Sequence, residues 1–411
     1  MAVGEACRIA ADVNACAISP TDVAVAALAR IDELDGRLCA FTNIDRAGAL
    51  AAAGRVGERV RAGARLPMAG VPIALKGRQS LGAPWAQRLR DAGAVVVGWT
   101  SVPPPTSGHQ TWGVTERGPT RNPWDLERTP GGSSAGAAVA VATGMVPVAV
   151  GADGGGSIRV PAAWCGVVGF KPTSGSIARR RDGVGLMALG PIARSVDDVR
   201  LFMEVASGRT EARLPQLPLR AAWSSDVGHV DIDADVAAIA RAAADRLADD
   251  GVLEWVETPV RLGPIWGAWG VLHDLEGALA DGKPLPSEFE IPLPDAIDQR
   301  ARQDRRLAQV FADVDVIVTP TSAGIAHRID DSNPPERLVE LTAWVNVAGC
   351  PAISVPAGMT NDGLPVGLQI VAPTHQDASC LAVAAAWEAA CGALAPVDID
   401  HHAPSTLDGR P

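Results

Sequence analysis

Tyrosine is missing altogether from these 411 residues, so no phenol can serve as acid, base or oxyanion donor. Lysine is nearly missing. Lys76, Lys171 and Lys283 are the only three, which leaves almost all positive charge to arginine. The seven cysteines contain no CxxC pair; an odd, scattered set reads as free thiols in a reducing compartment. No window approaches the ~18 consecutive apolar residues of a membrane span, so no membrane partner is expected. Nor is there a basic run. Lys+Arg at 36 against Asp+Glu at 47 leaves a net charge of −11, which argues against nucleic acid, whose phosphates are held by clustered positive charge. The start, Met1-Ala-Val-Gly-Glu-Ala-Cys-Arg8, lacks the basic-then-apolar order of a signal peptide, and a cytoplasmic protein is expected.

What remains is globular. Hydrophobic residues make up 47% and charged ones 20%, enough apolar material for a large core. Ser19-Pro20-Thr21-Asp22 supplies a cap, a first-turn proline and an acidic residue ahead of an apolar-periodic run to about Leu34. A second, alanine-rich helix is expected over roughly 46–62. A third starts at Asp233, carries Val236, Ile239, Ala240, Ala243 and Leu247 on one face, and stops before Gly251. Short apolar runs at 71–75, 94–99, 146–150, 314–319, 352–355 and 366–371 read as buried strands. Strands separated by helices predict an α/β fold, a mixed, mostly parallel central sheet covered by helices on both faces. We expect a single domain over 1–396. The stretch 257–300 is the least regular, 209–305 is a candidate lobe, and 397–411 is a tail.

The chemistry concentrates between Pro130 and Thr173. Pro130-Gly-Gly-Ser133-Ser134-Ala-Gly136 is followed by Gly151-Ala-Asp153-Gly154-Gly155-Gly156-Ser157-Ile-Arg159-Val-Pro161. Three glycines before a serine free the backbone to turn successive N–H groups into one concavity. Beside a hydroxyl, such a nest can hold the oxyanion of acyl transfer; the alternative is a glycine-rich turn between strand and helix. A serine needs a base, and the seven histidines form no informative pattern. Lysine can serve if burial lowers its pKa toward neutrality. Lys76 ends the apolar run Gly70-Val-Pro-Ile-Ala-Leu-Lys76 and is the lysine whose context predicts desolvation. Its alternative is a strand-end side chain reaching solvent.

Together, Lys76, the Gly-Gly-Ser-Ser-x-Gly of 131–136 and the Gly-x-Asp-x-Gly-Gly-Ser-Ile-Arg-x-Pro of 151–161 resemble the amidase signature family of serine hydrolases. The likeness continues through Cys165-Gly-Val-Val-Gly-Phe-Lys-Pro-Thr173, Gly190-Pro-Ile-Ala-Arg-Ser-Val-Asp-Asp198, Asp315-Val-Ile-Val-Thr-Pro-Thr321, 346–357 and 363–370. It is weakest over about 209–305. The resemblance implies a Ser-Ser-Lys triad without metal or cofactor: Ser157 as nucleophile, Ser133 as bridging serine on a cis peptide, and Lys76 as base. The N–H groups of Gly154, Gly155, Gly156 and Ser157 are then expected to bind the oxyanion, with Ser134, Asp153 and Arg159 supporting the loop.

Departures surround this motif. Gly77 stands where the family has Asp, the segment from Lys76 to the helical stretch at 86–92 is short, and Pro103, Pro104 and Pro105 replace a motif after Thr100. Trp85, Trp99, Trp112, Trp266 and Trp269 are candidates for an apolar acyl pocket, core packing being the commoner role of each. The expected partner is a small aryl or alkyl amide, and a homodimer is left open. Three other readings stand beside this one. Gly132–Gly136 fits a G-x-S-x-G elbow with Ser134 and His375, but Asn122-Pro-Trp-Asp-Leu-Glu-Arg-Thr-Pro130 before it cannot be the required strand. Glutamine-hydrolysing subunits of tRNA-dependent amidotransferases share the signature. An inert binding protein with the signature is the third.

Overall fold

The computed structural model describes residues 4–104, 111–178, 184–210, 213–282, 284–286, 288–331, 339–392 and 394–400. From the amino end come α1 (Glu5–Asn14), α2 (Pro20–Leu38), β1 (Phe41–Ile44), α3 (Arg46–Arg61), β2 (Pro72–Lys76), α4 (Pro84–Asp91) and β3 (Val95–Thr100). A small hairpin of β4 (Val114–Thr115) and β5 (Gly118–Pro119) follows. The central stretch holds α5 (Ala135–Ala142), β6 (Val148–Asp153), α6 (Arg159–Cys165), β7 (Val168–Lys171), β8 (Ala188–Ala193) and α7 (Val196–Ser207). Then come β9 (Leu219–Trp223), α8 (Ala234–Asp249), β10 (Leu253–Trp255), α9 (Trp266–Asp281) and α10 (Leu293–Asp313). The chain closes with β11 (Val316–Pro320), α11 (Glu340–Val347), β12 (Ala352–Met359), β13 (Pro365–Val371) and α12 (Asp377–Cys391).

The local signals act as expected. Ser19 Oγ accepts from Thr21 N at the start of α2, and Asp233 accepts from Asp235 and Val236 N at the start of α8, satisfying N–H groups that a helix leaves without partners. Eleven strands form one mixed sheet in the order β1-β3-β2-β6-β8-β7-β12-β13-β11-β9-β10. The strand–helix–strand segments give parallel pairing in β3-β2-β6 and in β11-β9-β10. The centre is antiparallel. There β12 and β13 are joined by a short turn, which cannot carry a parallel crossover.

Helices cover both faces, and side chains alternate between them along each strand. Ile73 and Leu75 of β2 enter one apolar cluster with α4 and α7, whereas Ala74 enters the cluster built on α2, α3 and α5. Lys76, two residues after Ala74, shares the α5 face. The stretch 257–300 is more regular than its composition suggests, since it contains α9 and the start of α10, whose apolar residues pack with α11 in a third cluster. Of the expected tail, Val397 and Ile399 are buried against the α2–α5 face and Val397 N–H donates to Ala142 O at 2.8 Å; 401–411 lie outside the described residues. All seven cysteines are unpaired. No described helix is long and apolar enough to cross a membrane.

Candidate active site

The parallel strands β2 and β6 end side by side, and the turns after them meet the starts of α5 and α6. Crevices of this kind, at the carboxyl ends of parallel strands, are where α/β folds place reacting groups. Lys76 is the last residue of β2, and its Nζ lies 2.8 Å from Ser133 Oγ and 2.9 Å from Ala152 O. Ser133 follows a cis Gly132–Ser133 peptide just before α5. The next residue, Ser134, donates its N–H to Ser157 O at 3.2 Å, which brings the turn carrying Ser133 against the loop carrying Ser157. Lys76, Ser133 and Ser157 each keep some exposure, whereas Leu75, Ser134, Gly156 and Ile158 beside them are buried. The three are thus partly exposed residues of an otherwise mostly buried stretch of turns.

Burial of the Lys76 amine lowers its pKa to about 7, against the pull of the Asp153 charge in the opposite direction. An amine that titrates near neutrality is half in its basic form there and able to accept a proton. The backbone of Lys76 is tied to its own turn: Lys76 N donates to Gln79 Oε1 at 2.9 Å, and Gly77, at φ 56°, donates to Thr100 O. The glycine that departs from the resembled family thus takes a left-handed turn that an Asp would adopt less readily. Val102 packs where its Cβ would be. Pro105 lies outside the described residues.

The expectation that Lys76 alone is desolvated needs correction. Lys171 is fully buried, and its pKa is lowered to about 8 by burial and by the Arg159 charge. Lys171 is the last residue of β7, deep in the sheet. Its Nζ donates to Pro172 O and Cys350 O, at 2.9 and 2.7 Å, so it braces backbone rather than a hydroxyl. Lys283 lies outside the described residues.

The glycine loop is held from every side. Each carbonyl from 153 to 157 accepts a hydrogen bond: Asp153 O from Asn346 Nδ2 (2.9 Å), Gly154 O from Trp269 Nε1 (2.7 Å) and Gly155 O from Thr342 Oγ1 (2.5 Å). Gly156 O accepts from Val160 N at 2.8 Å, and Ser157 O from Ser134 N. The Asp153 carboxylate turns back on the loop to accept from Gly156 N at 2.7 Å and Ile158 N at 3.1 Å. One expectation is corrected by this. The Gly156 N–H is already committed to Asp153, so it is not free to bind an oxyanion; the N–H groups of Gly154, Gly155 and Ser157 carry no such bond among the described residues.

Asp153 and Arg159 form a fully buried pair, with Arg159 Nε and Nη2 each 2.9 Å from a carboxylate oxygen. Burial alone would raise the Asp153 pKa, but Arg159, Lys171 and Asn346 outweigh it and hold the carboxyl well below its usual range. Arg159 also donates to Thr342 O, Gln369 Oε1 and Asn346 Oδ1. Ser134 Oγ sits beneath, accepting from Ala152 N at 3.4 Å. Thr342, Asn346 and Gln369 lie more than 180 residues from Asp153; Asn346 and Gln369 fall in stretches that carry the family likeness, but nothing in the sequence marks their contact with the glycine loop or its arginine.

The tryptophans separate. Trp85 is core, at 4% exposure; Trp99 Nε1 donates to Gln79 O, and Trp112 meets His327 edge-on. Trp269 holds the glycine loop and Trp266 stacks on it. The alternative elbow is absent: residues 121–131 form no strand, and His375 lies in the turn before α12, its N–H donating to Thr173 Oγ1.

The family model described as Amidase matches residues 82–263 and 281–381. An acylamidase of Rhodococcus erythropolis is 32% identical, the match covering 93% of this chain and 94% of that one. A glutamyl-tRNA(Gln) amidotransferase subunit of Deinococcus radiodurans is 34% identical over 93% of this chain and 96% of its own length. Among solved structures, a bacterial aryl acylamidase belonging to the amidase signature enzymes superposes with a TM-score of 0.79 at 26% identity, over 97% of this chain and 98% of that one.

Proposed function

This chain belongs to the amidase signature family and is an amide hydrolase, and from that premise we propose that it works through a seryl acyl-enzyme on small aryl or alkyl amides. The observation that carries the proposal is the 2.8 Å contact between Ser133 Oγ and a buried lysine amine whose pKa is lowered to about 7. Neutral Lys76 takes the Ser133 proton while Ser133 Oγ takes the proton of Ser157. Ser157 Oγ then bonds to the amide carbon, and the carbonyl oxygen gains the negative charge. The N–H groups of Gly154, Gly155 and Ser157 bind that charge in a site where water no longer screens it.

Collapse of the adduct breaks the C–N bond, and Ser133, resupplied by Lys76, gives the leaving nitrogen its proton. Water then adds to the acyl carbon along the same relay, releasing carboxylate and restoring Ser157. The name of the superposable aryl acylamidase supports an aryl or acyl amide as substrate. A panel of anilides, alkyl amides, amino-acid amides and glutamine tests the reading: turnover of anilides or alkyl amides is expected, and activity on glutamine alone would overturn it. Labelling by a fluorophosphonate, abolished in Ser157→Ala, is the companion result.

A second reading rests on the 34% identity to the tRNA-dependent amidotransferase relative. It requires ammonia to pass to a partner-bound acceptor. Copurification of a second chain with ammonia release dependent on a charged tRNA would favour it over free amide turnover.

A further inference from the structure

We propose that Trp269 is a positioning residue of the oxyanion site, aiming the Gly155 N–H at the oxyanion position; the proposal rests on the acyl-transfer reading above. In a trans peptide the C=O of one residue and the N–H of the next point in opposite directions across one rigid plane. Whatever fixes a carbonyl therefore fixes the direction of the following donor. Asn346 sets the Gly154 N–H in this way, and Val160 N sets that of Ser157. The plane between Gly154 and Gly155 is set by Trp269, whose Nε1 donates to Gly154 O at 2.7 Å.

The indole is itself immobilised. Its ring stacks on Trp266, one turn earlier in α9, with centroids 4.6 Å apart, and on His273, one turn later, at 5.0 Å. Both flanks are occupied by neighbours on its own helix, and the residue is only 6% exposed, so its ring is not a wall for substrate. Its edge meets the loop instead: a Cβ added at Gly155 would come within 2.8 Å of Nε1. Indole N–H is a donor with no acceptor alternative, so its one strong bond has a single direction. The device comes from 209–305, where the motif likeness is weakest.

The test uses the whole chain and an alkyl fluorophosphonate. Ser157 Oγ bonds to phosphorus, the P–F bond breaks, fluoride leaves, the serine proton passes to the relay, and the P=O oxygen occupies the oxyanion position. Trp269→Phe keeps a ring and removes the donor. The maximal labelling rate is expected to fall about 10- to 100-fold, less than or comparable to the loss of a whole oxyanion donor. The probe's half-saturating concentration stays unchanged, while the urea midpoint falls modestly because the buried Gly154 carbonyl loses its donor. An unaltered labelling rate, or a loss carried by the half-saturating concentration and not by the maximal rate, would overturn the assignment. Should Trp269→Phe fail to fold, benzothienylalanine at 269, which replaces N–H by sulfur in nearly the same shape, carries the same expectation. Undiminished labelling of Ser157→Ala would instead refute the acyl-transfer reading itself, whatever Trp269 does.

Discussion

The two protonation states of the Lys76 amine serve opposite ends: in the proposed relay the neutral form is the base, whereas the cation sits desolvated in the fold. With its pKa lowered to about 7, kcat/KM is expected to fall about tenfold per pH unit below neutrality and to level off above about pH 8, which a pH–rate profile reads directly. The stability sign follows from the same shift. Between about 7 and the ordinary 10.5 the unfolded chain keeps a proton that the native one has lost, so stability rises with pH across that window. Below it the cost of the buried cation is present in full. Lys76→Met should therefore be inactive yet more stable at and below neutral pH, by an amount on the order of a few kcal/mol. In urea titrations that advantage should vanish as pH approaches 10.5. At the neighbouring glycines the space available separates the outcomes. Nothing lies nearer than 3.7 Å to a Cβ at Gly154, whereas a Cβ at Gly155 would meet Trp269 and one at Gly156, at φ 133°, would collide with Thr342 Oγ1. Gly154→Ala is expected to keep kcat within about threefold, and Gly155→Ala to lose at least tenfold of it, scaled from the loss of an oxyanion donor.

Among the elements, α6 and α11 act as a clamp on the loop between β6 and α6. Arg159 at the start of α6 pairs with Asp153 at the end of β6, and Thr342 and Asn346, four residues apart on α11, face the same loop. Arg159→Met leaves the Asp153 carboxylate buried without its main partner, which costs about 3–5 kcal/mol for a pair of this kind. A urea unfolding curve should show that loss along with lost activity. Much of the element layout was legible in the sequence: the caps at Ser19 and Asp233 and the apolar runs ending at Leu75 and Val371 mark elements close to where they form. The strands Val168–Lys171, Ala188–Ala193 and Leu219–Trp223 were not. They are short and interrupted by glycine, proline, lysine or arginine, and their strand character comes from pairing in the sheet, not from composition.

For the molecule as a whole, one sheet gathers segments more than two hundred residues apart, and the stretch 394–400 packs into a cluster on one of its faces. Val397 and Ile399, 6% and 3% exposed, lie in the cluster of α2, α3 and α5, directly behind the helix that begins beside Ser133. Replacing both by alanine should destabilise the protein by several kcal/mol, on the order of 1–3 for each side chain, measurable as a lowered urea midpoint with unchanged KM. The residues proposed to react could be picked out along the chain. Lys76 closes an apolar run, and Ser133 and Ser157 sit in glycine-rich stretches, because turns and strand ends leave a local imprint on composition. What only the folded molecule decided is which N–H groups of the glycine loop are already bonded and which side chains hold its carbonyls. The commitment of the Gly156 N–H to Asp153, the burial of Lys171, and the reach of Asn346, Thr342 and Trp269 to successive carbonyls depend on distances between elements remote along the chain. Hydrogen bonds act over about 3 Å, and no sequence pattern records which distant side chains packing will bring within that range.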